Sequence, residues 1–568
     1  WLKSFGPMSV SVEDVEGSTG SHGTGAGSMV CQPRIADMGL QPAAALSRCL
    51  WWGGCAVGAA STLAAGVLCM TLYGLVMQDW SQEASLPRDI CEAVPHGRAQ
   101  QTEWLAGDGA GVSLQQHMWA EQKDADTLQR IRKELQALMD EKAKKWNTGF
   151  WLGFVNEEGS ISLASGRRSA DDMGPDGKAM PEDKMPFGSF TKTITASAIM
   201  QLVEMQQLAL EDKAALILDP WLQANYNFTL QELWGPRICL ASIRDLLQMR
   251  SGLPDYDDPQ AFHATTRSAE VELSPIDYIR QVDGLDRKCV TSKCSRYSSI
   301  GYAILGLILA AKSGARRWDE YDQSAFLPNS SRYPSMTFPV HGPCSKWTKV
   351  HQYALDTRAL ERHHKAQASE WIDMWRYSCL NGWTFGNLAA SPVDVARFIH
   401  DLLGPEPRVV SGWSVMQMMQ NSALERGWAR NVLNYGLGVM VWNANFFGGS
   451  SANPVLDTFI GHGGQDWGSN SMTGFNPAFR FSLSLATNND SYVDRIFDIA
   501  ALDFFCEAIS RVVTIVRGLD LQQPLVLCPE RRAPGEGSAN GEERASHALG
   551  PDGPFSPRHR RKPWTQIA

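Results

Sequence analysis

Between about residues 124 and 518, apolar and polar residues recur with the periods of helices and strands. At the start of this stretch, four apolar residues recur at the spacing of one helical face: Leu128, Ile131, Leu135 and Leu138. They predict an amphipathic helix over residues 125–145. The following run GFWLGFVNEEGSISLASG holds two apolar segments joined by Asn-Glu-Glu-Gly. Such a pattern predicts a β-hairpin.

Three later segments share the chemistry of a helix N-terminus, with a serine cap and an acidic residue three positions on: Ser242-Ile-Arg-Asp245, Ser274-Pro-Ile-Asp277 and Ser391-Pro-Val-Asp394. They predict a mainly helical middle. The run MTGFNPAFRFSLSLATNND predicts two strands around Asn-Pro, and residues 493–516 predict a last helix. The order predicts an α+β domain whose antiparallel sheet comes from the N- and C-terminal parts. Helices flank that sheet, and the active site is expected between it and the helical insert.

A charge-free apolar run of 29 residues occupies positions 49–77. Because about 20 apolar residues span a bilayer, the run predicts one transmembrane or signal-anchor helix. A cleaved signal peptide remains an alternative if translation begins at Met38. Residues 1–48 are predicted to be disordered and residues 78–123 to form a juxtamembrane linker. The folded domain then covers residues 124–518, and a disordered tail covers residues 519–568.

The charges around the apolar run indicate its orientation. Arg34 and Arg48 precede it and acidic residues follow it, which favours a cytoplasmic N-terminus and a lumenal or extracellular domain. Three glycosylation sequons lie on that outer side, at Asn227, Asn329 and Asn489. The identity of the membrane stays open.

The net charge and the cysteine content of the chain limit the kinds of ligand and cofactor that we expect. The net charge of -9 argues against a broad nucleic-acid surface. Eight of the 12 cysteines follow the apolar run, which suits disulfides, although unrelated buried thiols remain an alternative. No CxxC pair or HxH cluster is present, so neither a metal site nor another cofactor is expected. The oligomeric state stays open.

The sharpest chemical signal is FGSFTK at residues 187–192, where Gly188 lets the chain turn into a helix. Ser189 and Lys192 are three positions apart, so their side chains share one helical face. A neutral lysine can take the serine proton, provided that burial and nearby positive charge lower the pKa of its amine. The helix N-terminus also directs free amides at the position where oxyanion charge would develop.

Six segments in a fixed order surround this pair: FGSFTK at 187–192, DLLQMRSGLPDY at 245–256, RYSSIGYAILGLIL at 296–309, NLAASPVDVARF at 387–398, YGLG at 435–438 and GHGGQDWG at 461–468. In these segments the sequence resembles the serine β-lactamase and penicillin-binding-protein family, which includes the class C β-lactamases. The resemblance implies a Ser189 nucleophile with Lys192 as its base. It also implies that Tyr297 relays protons to and from the leaving group.

The same resemblance implies which residues bind the substrate and stabilise its oxyanion. His462, Gly463 and Gly464 match the strand motif that is Lys-Thr-Gly in many members and His-x-Gly in others. The backbone amides of Ser189 and Gln465 would form the oxyanion hole. His462 would bind or orient the polar end of the substrate, with little charge near pH 7.

Two positions depart from the family pattern. Ser299 stands where an asparagine usually holds the acyl side chain of the substrate, and His462 removes a permanent cation. Both changes favour a peptidase or esterase over a β-lactam resistance enzyme. Tyr297 packed on the core and His462 as a hydrogen-bonded loop residue remain alternatives, and Asp255 is interpreted as structural.

The predicted function is therefore a membrane-tethered serine hydrolase acting through an acyl-enzyme on a small amide, peptide or ester. The alternative from another class is a catalytically silent binding or scaffold protein of the same fold. An α/β-hydrolase is disfavoured because the Gly-x-Ser-x-Gly elbow is missing.

Overall fold

The computed structural model describes the residues 125–172, 174–256, 258–282, 284–285, 295–355, 371–427, 432–490 and 498–532. Its largest element is an eight-stranded sheet in which every neighbouring pair is antiparallel. The strands are β1 (Phe150–Asn156), β2 (Gly159–Ser165), β7 (Ser422–Ala423), β8 (Asn434–Tyr435), β9 (Met440–Trp442), β11 (Phe459–Asp466), β12 (Ser469–Asn476) and β13 (Phe481–Thr487). Their order across the sheet is β2-β1-β13-β12-β11-β9-β8-β7.

Seven shorter strands form three small sheets, paired β3–β6, β10–β15 and β14–β4–β5. They are β3 (Met185–Pro186), β4 (Tyr353–Leu355), β5 (Trp371–Asp373), β6 (Ala389–Ala390), β10 (Ser450–Ser451), β14 (Asn489–Asp490) and β15 (Val526–Leu527). The β3–β6 pair leads directly into the turn that carries Ser189.

The α-helices in the described part of the chain are α1 (Ala125–Trp146), α2 (Thr191–Glu204), α3 (Ala214–Tyr226), α4 (Leu230–Trp234), α5 (Ile243–Leu247), α6 (Asp258–Thr265), α7 (Pro275–Gln281), α8 (Ser299–Lys312), α9 (Pro392–Leu403), α10 (Gly412–Met419) and α11 (Ile499–Val516). Helices α2 to α8 form the insert between the two parts of the sheet. Helix α8 packs against α2, α3 and α5, which makes it the centre of that insert.

Helices cover both faces of the sheet. Phe150 of β1 contacts Phe504 of α11 with ring centroids 4.7 Å apart. A Cβ on Gly153 would lie 2.4 Å from the Pro392 backbone, so α9 covers the opposite face. Helices α1 and α11 are joined by buried Lys142, whose Nζ lies 2.9 Å from a carboxylate oxygen of Asp503. The sheet is therefore the middle layer of an α+β domain.

The predicted α+β class with a large antiparallel sheet and flanking helices is confirmed. Capping boxes are present at Ser242 and Ser274, as their sequences predict. Helix α9 does begin after Ser391, but that serine makes no side-chain cap. Its backbone amide instead binds the hydroxyl of Ser335, which also donates to Asp394. A hydrogen bond to a residue distant in sequence therefore replaces the local cap at the N-terminus of α9.

Ordered structure continues beyond the predicted domain boundary at residue 518. Strand β15 pairs with β10, and a disulfide joins Cys506 to Cys528. A second disulfide joins Cys344 to Cys379, and Cys239 is also disulfide-bonded. These cysteines are therefore not free thiols.

The predicted membrane helix at 49–77 lies outside the described residues. Within the described ranges, no helix combines the length and apolar character that a membrane span requires. The predicted disordered segment (1–48) and the predicted linker (78–123) also lie outside them, as do residues 533–568 of the predicted C-terminal tail (519–568).

Candidate active site

Ser189 lies in a 3-10 turn, Gly188–Phe190, that runs directly into α2. The side chains on both sides of it, Phe187 and Phe190, are fully buried in the core. Ser189 itself keeps part of its surface exposed. The turn therefore fixes the serine at the surface of the domain with its backbone anchored underneath.

Lys192 lies beneath this serine and has no exposed surface. Its Nζ donates to the Ser189 Oγ at 2.8 Å and to the backbone carbonyl of Phe385 at 3.1 Å. It also lies over the rings of Tyr297 and Phe385, 5.1 and 5.3 Å from their centroids. These contacts hold the amine at hydrogen-bonding distance from the hydroxyl.

Strand β11 lies against the serine turn through two glycines. Gly188 has a φ of +51°, and a Cβ there would lie 2.6 Å from the Gln465 carbonyl oxygen. A Cβ on Gly464 would lie 1.8 Å from the Phe187 carbonyl oxygen. Because neither glycine has a side chain, the peptides of Ser189 and Gln465 come close together, as an oxyanion hole requires. Gly463 is buried in the same strand.

Tyr297 approaches the pair from the helical insert, just before α8. It is 6% exposed, and its backbone amide donates to the Arg426 carbonyl at 3.0 Å. Its ring lies 6.1 Å from that of Tyr435 and 6.3 Å from that of His462. The three rings form one wall of the site.

His462 is fully buried within β11. Its Nδ1 contacts the Gly463 carbonyl, which can only accept a proton, so Nδ1 carries the hydrogen. Its Nε2 accepts from the Tyr435 hydroxyl at 2.9 Å. Burial, assisted by the charge of Lys192, lowers the pKa of His462 to about 3. The imidazole is therefore neutral at physiological pH, and the Tyr435 hydroxyl that binds its Nε2 belongs to a side chain that is also buried.

Ser299 begins α8 beside Asp255. Its backbone amide donates to Asp255 Oδ1 at 2.8 Å, so the aspartate caps the helix where Ser298 makes no cap. Burial raises the pKa of Asp255, whereas the positive charge of Lys192 opposes that rise. Asp255 is thus electrostatically linked to the lysine.

Asp466 ends β11 one residue after Gln465. Its Oδ2 accepts from the Asn381 amide at 2.7 Å and its Oδ1 from the Trp467 backbone amide at 2.7 Å. Burial raises the pKa of Asp466 to about 7, against the opposing hydrogen bond from Trp467. Asp466 therefore gains a proton near neutral pH while it ties β11 to the loop before Phe385.

We expect Asp466→Asn to remove a pH dependence of stability. Between about pH 4 and pH 7 the folded protein keeps a proton that the unfolded chain has lost, so the free energy of unfolding falls as pH rises. A shift of about three pKa units corresponds to at most about 4 kcal/mol. Denaturant unfolding of both proteins at several pH values measures this. Exposed Asp171→Asn is the control, and an unchanged slope in Asp466→Asn would contradict the assignment.

The structure brings the predicted residues Ser189, Lys192, Tyr297, Ser299 and Gln465 to one place, with His462, Gly463 and Gly464 in the strand behind. Sequence reasoning gave no role to four residues that support them: Asn381, Phe385, Tyr435 and Asp466. It interpreted Asp255 as structural. Tyr435, Asp466 and Asp255 lie in the YGLG, GHGGQDWG and DLLQMRSGLPDY segments, so all three were visible as motif residues. Asn381 and Phe385 become neighbours of the site only through the fold.

The remaining predicted sites lie elsewhere. Asn227 and Asn329 are exposed, while Asn489 is partly buried and donates to Asp498 at 3.4 Å. Glycosylation at these sequons stays a prediction. In the described ranges no group of three His, Cys, Asp or Glu side chains could hold a metal ion.

An antiparallel sheet flanked by helices, with a serine–lysine pair at the start of a buried helix, is the arrangement of the β-lactamase fold. The chain belongs to the Beta-lactamase family, whose model matches residues 149–504, more than half of its length. No curated protein matches the sequence.

Solved structures share the fold. The D-amino acid amidase from Ochrobactrum anthropi SV3, complexed with L-phenylalanine, is 16% identical, with a TM-score of 0.54 over 68% of this chain and 99% of the amidase. The octameric penicillin-binding protein homologue from Pyrococcus abyssi is 19% identical, with a TM-score of 0.50 over 69% of this chain and 79% of the homologue. At these identities the likeness concerns the fold.

Proposed function

We propose that the protein is a serine hydrolase that transfers an acyl group to water through Ser189. The observation that carries the proposal is the 2.8 Å contact between Lys192 Nζ and Ser189 Oγ, directly beside the Gln465 peptide. A nucleophile, a base and two candidate oxyanion donors thus share one small volume.

In the first half-reaction, the Ser189 Oγ attacks the substrate carbonyl carbon while its proton passes to uncharged Lys192. The carbonyl oxygen takes up negative charge facing the amides of Ser189 and Gln465. The bond to the leaving amine or alcohol then breaks, and that group receives a proton through Tyr297. Water attacks the resulting ester in the second half, loses a proton to the base, and releases the acid and Ser189.

His462 supports this chemistry as a neutral residue. Its hydrogen bond with Tyr435 and the contact of both rings with Tyr297 favour a positioning role for the tyrosine wall. Direct binding of the substrate's polar end by His462 would require movement that exposes the imidazole. A substrate carboxylate therefore finds no charge at this residue near pH 7.

We expect a small amide, peptide or ester to be turned over faster than a β-lactam. Ser299 offers a shorter donor than asparagine, and neutral His462 does not attract the β-lactam carboxylate. The measurement compares turnover of a short activated ester with that of a chromogenic cephalosporin. Labelling with a serine-reactive probe, with Ser189→Ala as the control, identifies the nucleophile. Efficient cephalosporin hydrolysis would refute the substrate class, and unlabelled wild-type protein would favour a silent binding protein.

Membrane tethering through residues 49–77, with the hydrolase domain on the lumenal or extracellular side, remains part of the proposal. It is supported by the charge-free run and the exposed sequon residues Asn227 and Asn329. Endoglycosidase treatment of full-length protein from a eukaryotic host is expected to shift its gel mobility. An unshifted protein that proteases reach only from the cytosol would reverse the orientation.

A further inference from the structure

Residues 381–385 form a turn with an unusual backbone, here named the 381–385 turn. Three successive residues have a left-handed conformation, with φ of +42° at Asn381, +79° at Gly382 and +56° at Trp383. A bulky residue other than glycine is an outlier in this region. Trp383 is nevertheless fully buried, with its ring centroid 5.6 Å from that of Trp318. The surrounding structure therefore holds the turn in a conformation that the chain would not otherwise favour, which is common at functional sites.

Two consecutive carbonyls of the 381–385 turn bind helix α2 on the side that carries the proposed base. The Thr195 hydroxyl donates to the Thr384 carbonyl at 2.6 Å, and Lys192 Nζ donates to the Phe385 carbonyl at 3.1 Å. Thr195 and Lys192 are three positions apart, so their side chains lie on one side of α2. The turn therefore determines where the carbonyl that holds the Lys192 amine lies.

The start of the 381–385 turn is tied to strand β11. Asn381 Nδ2 donates to Asp466 Oδ2 at 2.7 Å, and Asp466 directly follows Gln465, whose backbone amide is a proposed oxyanion donor. The Cys344–Cys379 disulfide fixes the chain two residues before Asn381. The turn thus connects the helix of the base to the strand of the oxyanion donor, in addition to the contact that the serine turn makes with β11.

Acyl transfer needs the base and the oxyanion donor in a fixed relation, because both act in the same transition state. We infer that Asn381 and Asp466 are positioning residues for this reaction: their hydrogen bond holds the Gln465 amide at a fixed place relative to Lys192. This inference rests on the proposed function. The rival explanation is that the hydrogen bond only stabilises the fold.

Asn381→Gly tests the inference, since glycine keeps the left-handed backbone and removes only the side-chain amide. We expect kcat on an activated ester to fall by about 10²-fold, the loss that a small misplacement of catalytic groups causes. KM should change little, because the misplaced groups act in the transition state. Rates are expressed per Ser189 site titrated with the serine-reactive probe, so that a loss of folded protein does not lower kcat.

Asn147→Gly is the matched control. Asn147 also has a left-handed backbone, with φ of +49°, but it is exposed and follows helix α1, outside the site. Glycine has the same effect on backbone entropy there as at position 381, so this variant should keep the wild-type kcat and KM.

A swapped pair, Asn381→Asp with Asp466→Asn, tests whether the hydrogen bond itself is responsible. A carboxylate side chain at position 381 tolerates the left-handed backbone, and it accepts from the amide NH2 introduced at position 466. The oxygen of that amide can still accept the Trp467 backbone amide, as Asp466 Oδ1 does at 2.7 Å. The swapped pair should therefore recover most of the kcat that Asn381→Gly loses.

Two results would overturn the inference and leave the hydrolase proposal intact. One is a wild-type kcat per titrated site in Asn381→Gly, and the other is a swapped pair that is as slow as Asn381→Gly. In both cases wild-type protein turns over the ester and is labelled at Ser189. If wild-type protein shows neither turnover nor labelling, the proposed function fails and this inference fails with it.

Discussion

Alanine at either Ser189 or Lys192 is expected to lower kcat by roughly 10³-fold or more. The double variant should be little worse than either single one, because neither member of a nucleophile–base pair keeps its role alone. The 2.8 Å contact between their side chains is the structural reason to treat them as one unit. Initial rates on an activated ester measure the effect. Near-wild-type turnover by well-folded Lys192→Ala would remove the proposed mechanism.

Two further variants separate proton transfer from packing. Lys192→Arg keeps a positive charge, but its guanidinium does not give up a proton near neutral pH, so activity should stay lost. Tyr297→Phe keeps the ring that packs beside Lys192 and removes only the hydroxyl. A large loss of kcat in Tyr297→Phe assigns the hydroxyl to proton transfer. Each variant must keep the wild-type melting temperature so that unfolding is not mistaken for lost chemistry.

Local patterns predicted several of the fold's regular elements. The hairpin of β1 and β2, helix α1 and the capping boxes at Ser242 and Ser274 each depend on residues a few positions apart, which a sequence displays directly. The differences between prediction and structure arise from contacts between residues that are far apart in the sequence. Ser391 binds Ser335 in place of its own first turn, and residues 519–532 are held by the Cys506–Cys528 disulfide and strand β15.

In the candidate site, too, contacts between residues close in sequence were predicted, whereas contacts between distant residues were not. Ser189 and Lys192 share one turn, so their spacing alone predicted their contact. Asp255 looked structural because its sequence neighbours form a turn, and its electrostatic link to Lys192 exists only after α8 is docked. Asp466 likewise gains its raised pKa from burial and its anchor from Asn381, neither of which its sequence neighbours encode.

Replacing Gly464 by alanine is expected to reduce kcat by about 10²- to 10³-fold, the loss associated with a displaced oxyanion donor. The added Cβ would lie 1.8 Å from the Phe187 carbonyl oxygen. That carbonyl cannot easily yield, because the Ser471 hydroxyl donates to it at 3.1 Å and the Phe187 amide is bonded to the Leu388 carbonyl at 2.8 Å. Strand β11 must therefore move away from the serine turn, carrying the Gln465 amide with it.

The same overpacking should lower the free energy of unfolding by about 1–3 kcal/mol, which denaturant unfolding measures alongside the initial rates. Gly412→Ala is the matched control, because a Cβ there meets nothing within 4 Å and the residue begins helix α10. It should leave activity unchanged and not reduce stability. If Gly464→Ala turned over the ester at the wild-type rate, the close approach of β11 to the Ser189 turn would not be needed for catalysis. The oxyanion donors would then have to be sought away from Gln465.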